Sequence, residues 1–203
     1  MKIFCIGRNY SEHTKELNNE TPESPVVFMK PATALLKDNQ PFFYPEWTKD
    51  LHYETELVLR VCKQGKYIKE KFASTYYDQI GLGIDFTARD LQAYQKSKGL
   101  PWEIAKAFDN SAVISPLKSI EAFNKENGIS FSMKKNGTEV QRGNSIQMLY
   151  SFDTIIVYIS QFFTLQQGDL IYTGTPQGVG PVQIGDVLEG FAGDVPLVRC
   201  EVK

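Results

Sequence analysis

The chain is 203 residues long, with 22 Lys plus Arg against 24 Asp plus Glu and a formal net charge of −2. That length supports one well-buried core, and no Pro/Ser-rich linker, charge block or internal repeat divides it, so a single domain over 1–203 is expected. The charge balance supplies no basic footprint for nucleic acid and no polybasic patch for a membrane, which leaves a small charged metabolite as the expected partner.

The opening Met1-Lys-Ile-Phe-Cys-Ile-Gly7 is too short an apolar stretch for a signal-peptide core or a membrane span, and reads as a first strand over Ile3 to Ile6. The three cysteines, Cys5, Cys62 and Cys200, are widely spaced in apolar runs. Reduced, buried thiols and a cytoplasmic location are expected from them, not a disulfide frame or a zinc site. The polar segment that follows, 11–25, reads as a mobile lid. It carries His13 and Glu16, whose i, i+3 spacing lets the side chains touch if the segment is helical. A carboxylate beside an imidazole fixes the tautomer and raises basicity, as a general base requires. Accidental spacing on an exposed helix face would give the same pattern.

After a strand over Val26 to Met29, Leu51-His-Tyr-Glu-Thr-Glu-Leu-Val-Leu-Arg60 reads as a strand whose Glu54 and Glu56 point to one face. Two adjacent carboxylates repel unless solvated, protonated or bridged by a hard cation such as Mg²⁺ or Mn²⁺. A third carboxylate, Asp85, ends the apolar strand over Gln79 to Asp85, where a turn former or helix cap is the ordinary alternative. The helix over Ala88 to Lys98 places Arg89 and Gln92 on one side of its first turn, facing either a pocket or solvent. Lys106, among apolar and aromatic neighbours, is poised for a carboxylate or a developing oxyanion unless it snorkels to water.

Further along, strands are expected over Ile129 to Lys134, Leu170 to Thr173, Val187 to Glu189 and Pro196 to Val202, with Asn136-Gly137 as a hairpin turn. Phe152, Ile155, Ile156, Ile159, Phe162 and Phe163 recur at helical spacing, so this helix should bury that stripe, with Gly168 just past its end. Thr173-Gly-Thr-Pro-Gln-Gly-Val-Gly-Pro181 is a dense turn whose glycines let backbone N–H groups approach an anionic ligand, yet it lacks the ending of a phosphate loop. The whole is α+β and rich in strands. No Gly-x-Ser-x-Gly elbow, no zinc-spaced Cys pair and no His-Glu-x-x-His segment is present, so the carboxylate set carries the chemistry.

These pieces together resemble the fumarylacetoacetate hydrolase family, and most its acylpyruvase and oxaloacetate-acting branch. The matching stretches run end to end: Gly7-Arg-Asn-Tyr10, Glu12-His13 with Glu16, Phe28-Met-Lys-Pro31, His52-Tyr-Glu-Thr-Glu-Leu57, Asp85-Phe-Thr-Ala-Arg-Asp-Leu-Gln92, Gly99-Leu-Pro-Trp102 with Ala105-Lys-Ala-Phe108, Gln141-Arg-Gly-Asn144 and Thr173 to Pro181. The resemblance implies a mixed β-sandwich roll, a homodimer, and Mg²⁺ or Mn²⁺ held by Glu54, Glu56 and Asp85. It implies that His13 and Glu16 act as a dyad on the lid, with Lys106, Arg8, Lys30, Arg89, Gln92 and Thr175 lining the pocket. Ile84 stands where many relatives have Asn, and the extra N-terminal domain of the large members is missing.

A 2-oxo acid chelated through its carboxylate and keto oxygen would yield an enolate as the common intermediate. Hydrolysis of an acylpyruvate (a 2,4-dioxo acid) to pyruvate and a carboxylic acid is the first expectation. Oxaloacetate decarboxylation or tautomerisation and 2-hydroxyhepta-2,4-diene-1,7-dioate isomerisation follow closely, and a non-catalytic metal-binding homologue is the reading of a different class.

Overall fold

Strand-forming residues dominate the computed structural model, which describes residues 1–16, 20–123 and 127–203. The strands, in chain order, begin with β1 (Ile3–Gly7), β2 (Val26–Lys30), β3 (Leu35–Leu36), β4 (Leu51–Tyr53), β5 (Thr55–Val61) and β6 (Tyr77–Asp85). They continue with β7 (Thr87–Ala88), β8 (Ala112–Ile114), β9 (Lys118–Ser119), β10 (Ser130–Lys135) and β11 (Thr138–Asn144). The last are β12 (Leu170–Tyr172), β13 (Gly180–Pro181), β14 (Val187–Ala192) and β15 (Val195–Glu201). Five α-helices occur among the described residues: α1 (Ser11–Glu16), α2 (Glu70–Ala73), α3 (Arg89–Lys98), α4 (Glu103–Lys106) and α5 (Phe152–Phe162).

The largest sheet runs β2-β1-β12-β5-β6-β8-β3, with β9 added on β6. It is mixed, because β1 pairs with β12 and β3 with β8 in parallel while the other pairs are antiparallel. Its central strand β5 is buried at every position but Arg60, as a strand covered on both faces must be, and Leu57-Val-Leu59 supplies the apolar run. A second, four-stranded sheet runs β11-β10-β14-β15. The main core lies between the two, where Leu57, Leu59 and Leu82 meet Phe131, Met133, Leu188 and Val198. At Gly190 a Cβ would stand 2.5 Å from Leu82 Cδ2, so only glycine lets β14 come this close to β6. The expected mixed β-sandwich roll is therefore what the chain forms. A third, small sheet runs β13-β4-β7.

The Asn136-Gly137 turn joins β10 to β11 with φ of 52° and 81°, the pair of positive values a tight I′ hairpin needs. Helix α5 starts where Ser151 caps the Thr154 amide at 3.2 Å and buries Ile155, Ile156 and Ile159. The expected stripe is shorter than its spacing suggested, since Phe162 is exposed, although the Phe163 ring still reaches Phe4. Cys5 and Cys200 are buried and Cys62 is half-buried, all three free. No described helix is long and apolar enough to cross a membrane.

Candidate active site

The strand carrying the paired glutamates is interrupted at Glu54, between β4 and β5, and resumes at Thr55. There the Thr55 amide donates not to a neighbouring strand but to the side-chain oxygen of Gln141 on β11, at 3.0 Å. Antiparallel pairing of β5 with β6 sets Glu56 across from Gly83, and the Asp85 amide donates to the Glu54 carbonyl at 2.8 Å. Register alone thus brings the third carboxylate to the other two. One oxygen each of Glu54, Glu56 and Asp85 lies within 4.8 Å of the others, and all three residues are buried.

Buried charges require partners. The Lys106 ammonium, on α4, donates to Glu54 Oε2 at 2.7 Å, Asp85 Oδ2 at 2.8 Å and Thr87 Oγ1 at 2.6 Å. Burial would lower its pKa, but Asp85 and Glu54 outweigh that and raise it, so Lys106 stays charged. Arg89 reaches Glu54 Oε1 at 2.5 Å and the Gln92 side-chain oxygen at 2.7 Å, so the first turn of α3 lies against the carboxylates. Against the upward push of burial, Lys106 and Arg89 hold the Glu54 carboxyl well below the usual range. Lys30 pairs with Asp85 Oδ1 at 2.7 Å and donates to Ser111 Oγ at 2.9 Å and to the Lys106 carbonyl.

Glu56 differs from its neighbours. Its partner is the Gly174 amide at 2.6 Å, and it has no cationic side chain in contact among the described residues. Burial, then the charges of Asp85 and Glu54, push its carboxyl far up. A hard dication would relieve that repulsion, and the all-oxygen donor set is the kind Mg²⁺ or Mn²⁺ takes, so the residues fit such an ion. Lys106 supplies the positive charge to the other two carboxylates and would share them with the ion.

His13 lies on α1, nearly buried, with Nδ1 3.3 Å from Glu16 Oε2. Burial lowers its pKa below the ordinary 6.5, partly offset by Glu54 and Glu16, so the imidazole is neutral at pH 7. Glu16 in turn accepts from the Gly178 amide at 3.1 Å, which ties α1 to the glycine-rich turn. Of the expected lid, 11–25, residues 17–19 lie outside the described residues.

These groups share one cavity, lined by His13, Glu54, Glu56, Asp85, Lys106 and Thr175. Arg8, Arg89 and Gln92 are on its wall as well. Lys30, expected there, is not; its ammonium lies behind Asp85, fully buried, and steadies that carboxylate. The turn over Thr173 to Pro181 also differs from expectation. Its Gly174 and Gly178 amides are directed at the protein's own Glu56 and Glu16, not at an external anion. Three contributors escaped the sequence reading: Gln141, whose amide also donates to Thr175 Oγ1 at 2.8 Å; Trp102; and Lys96. Lys96 was visible in principle, because it follows Arg89 and Gln92 at i+7 and i+4 on α3.

A profile of the fumarylacetoacetate (FAA) hydrolase C-terminal family matches residues 2–203. The chain is 39% identical over 201 residues to mouse (Mus musculus) oxaloacetate tautomerase FAHD1, mitochondrial, spanning 99% of this chain and 91% of that protein. It is 39% identical over 188 residues to oxaloacetate tautomerase YcgM of Escherichia coli (strain K12), spanning 92% and 86%. Among solved structures, fumarylpyruvate hydrolase from Pseudomonas aeruginosa, in complex with Mn²⁺ and pyruvate, superposes with a TM-score of 0.94 at 35% identity, covering 100% of this chain and 89% of that one.

Proposed function

Because the chain belongs to the fumarylacetoacetate hydrolase family, we propose that it is a divalent-metal-dependent enzyme of 2-oxo acids whose reaction is keto–enol tautomerisation of oxaloacetate. The observation that carries this reading is the 39% identity, over nearly the whole chain, to a protein named for that reaction. Sequence alone put acylpyruvate hydrolysis first; the relatives move tautomerisation, held there as an alternative, ahead of it.

A divalent cation held by Glu54, Glu56 and Asp85 would polarise the 2-oxo group. The rest falls to side chains. His13, neutral and turned by Glu16 through Nδ1, presents Nε2 as the base that removes the C3 proton and returns it to the C2 oxygen, so no proton is gained or lost overall. The positive charge of Lys106, its three donors held by Glu54, Asp85 and Thr87, favours the oxygen that gains charge, while Arg89, Gln92 and Thr175 orient the acid. A single catalytic domain, a homodimer and a cytoplasmic location complete the proposal.

Hydrolysis is the second reading, supported by the likeness to a fumarylpyruvate hydrolase holding Mn²⁺ and pyruvate. There the same imidazole would activate water. The deciding experiment follows loss of enol absorbance from oxaloacetate with and without Mn²⁺, in wild type and His13→Ala, beside pyruvate release from acetylpyruvate and fumarylpyruvate. Metal-dependent enol loss that the variant lacks supports tautomerisation. Pyruvate release without enol loss transfers the assignment to hydrolysis, and silence on every substrate at intact stability leaves the dienoate isomerase and the idle metal-binding homologue.

A further inference from the structure

Helix α1 carries His13 but is only six residues long, too short to keep its shape or its place unaided. Its position must be set by what flanks it. The chain leaves β1 through Arg8, at φ of 60°, a left-handed conformation that a residue with a Cβ rarely adopts, so this turn is held by its surroundings. The holder is Asn9, which is fully buried. Its side-chain amide donates to the Thr173 carbonyl at 2.8 Å and to the Tyr150 carbonyl at 3.1 Å, while its side-chain oxygen accepts from the Tyr150 amide at 2.8 Å. The Leu149 amide donates in turn to the Asn9 carbonyl at 2.8 Å. Beyond α1 in the chain, the Tyr150 hydroxyl donates to the Pro22 carbonyl at 2.6 Å. Backbone and side chain of one residue thus fasten the chain both before and after the helix. The bond to Thr173 joins this post to the turn whose next residue, Gly174, donates to Glu56.

We propose that Asn9 and Tyr150 are positioning residues for the reaction, mooring both flanks of α1 so that His13 is held in the cavity with the carboxylates. This goes beyond the assignment of His13 as the base and rests on it. Neither residue lines the cavity, so both act through the helix and not on the substrate. The hydroxyl of Tyr150 can be removed without disturbing the core, because the residue is half-buried and water can reach the Pro22 carbonyl in its place. His13 itself reports how firmly α1 is seated. Burial depresses its pKa, Glu54 and Glu16 raise it and Arg89 lowers it, so a helix held less tightly against these groups gives an imidazole nearer its ordinary value.

The test takes two readings on the Mg²⁺-loaded protein. One is the NMR titration of the His13 imidazole, identified by its loss in His13→Gln from a chain with 2 histidines. The other is kcat and KM for enol loss from oxaloacetate. Tyr150→Phe is expected to raise the His13 pKa by about half a unit toward 6.5 and to lower kcat about tenfold, with KM changed less than about twofold. Asn9→Ala should move both readings the same way and further; if it does not fold, Tyr150→Phe decides alone. A lower melting temperature with both readings at their wild-type values would make these bonds merely structural and overturn the proposal. So would a fall in kcat with the His13 titration unmoved. A shifted titration at unchanged kcat, or in a protein that never tautomerises oxaloacetate, would sink the assignment of His13 as the base of that reaction and leave the mooring standing.

Discussion

Lys106 is where stability and chemistry meet in one atom. Its ammonium joins Glu54 Oε2 to Asp85 Oδ2, so Lys106→Met leaves one oxygen of each buried carboxylate unpaired, with Arg89 and Lys30 still on the other, and is expected to cost about 3 kcal/mol in the metal-free protein. A dication can restore the missing charge but not the donor. Saturating Mn²⁺ should therefore recover most of the lost melting temperature while turnover stays down by about 10²–10³; recovery of both would remove Lys106 from the mechanism. His13 makes a separate prediction through pH. Its folded pKa lies below the ordinary 6.5, so the native state binds fewer protons than the unfolded one. Its contribution to stability is full above that value and is lost as pH falls toward the lowered folded pKa. In His13→Gln the fall in stability below pH 6.5 should be shallower, with the part due to His52, also lowered, remaining. In wild type the acid limb of kcat/KM should lie below 6.5 as well. An acid limb above that value would mean that His13 is not the base.

One element, the break between β4 and β5, shows how far local pattern can be read. The i, i+2 spacing of Glu54 and Glu56 was legible, and so was Asp85 at the end of its strand, because both follow from pleat and register. What the sequence could not display is the long-range bond that stabilises the break. Gln141 sits on a different sheet, and its amide satisfies the Thr55 N–H while donating to Thr175 Oγ1 and the Pro176 carbonyl. A single side chain therefore couples the carboxylate strand to the glycine-rich turn. Gln141→Met keeps the volume and removes all three bonds; a loss of about 2–4 kcal/mol is expected from the buried groups left unpaired. Urea denaturation measures it, and a change under about 0.5 kcal/mol, the scale of an ordinary surface substitution, would show that water replaces the amide. Gly174 is constrained by conformation instead. At φ of 101°, with a Cβ position 2.6 Å from that of Asn9, it alone lets the amide meet Glu56, so Gly174→Ala should lower Mn²⁺ affinity as well as stability.

At the scale of the whole molecule, the sandwich was readable in outline and its seams were not. Long alternating or apolar runs such as β5, β6 and β10 announced themselves, whereas β3, β7 and β13, each of two residues, have no periodicity to read and exist because the larger sheets present them with partners. The same dependence of local detail on the assembled whole governs the carboxylates, which the completed fold brings close enough to repel one another and which a bound cation would relieve. An ion that binds only the folded state shifts the equilibrium by mass action, by about 2.7 kcal/mol at one hundred times its Kd. For a chain of 203 residues that is a rise in Tm of roughly 5–10 °C, reversed by EDTA. Glu56→Gln is the informative control. It removes the carboxylate that lacks a cationic partner, so the metal-free protein should be no less stable than wild type, because a buried repulsion disappears. Its Mn²⁺-induced rise should nonetheless be largely abolished. If Glu56→Gln kept the full rise, the ion would bind elsewhere, and Glu54, Glu56 and Asp85 would be a purely internal charge network balanced by Lys30, Arg89 and Lys106.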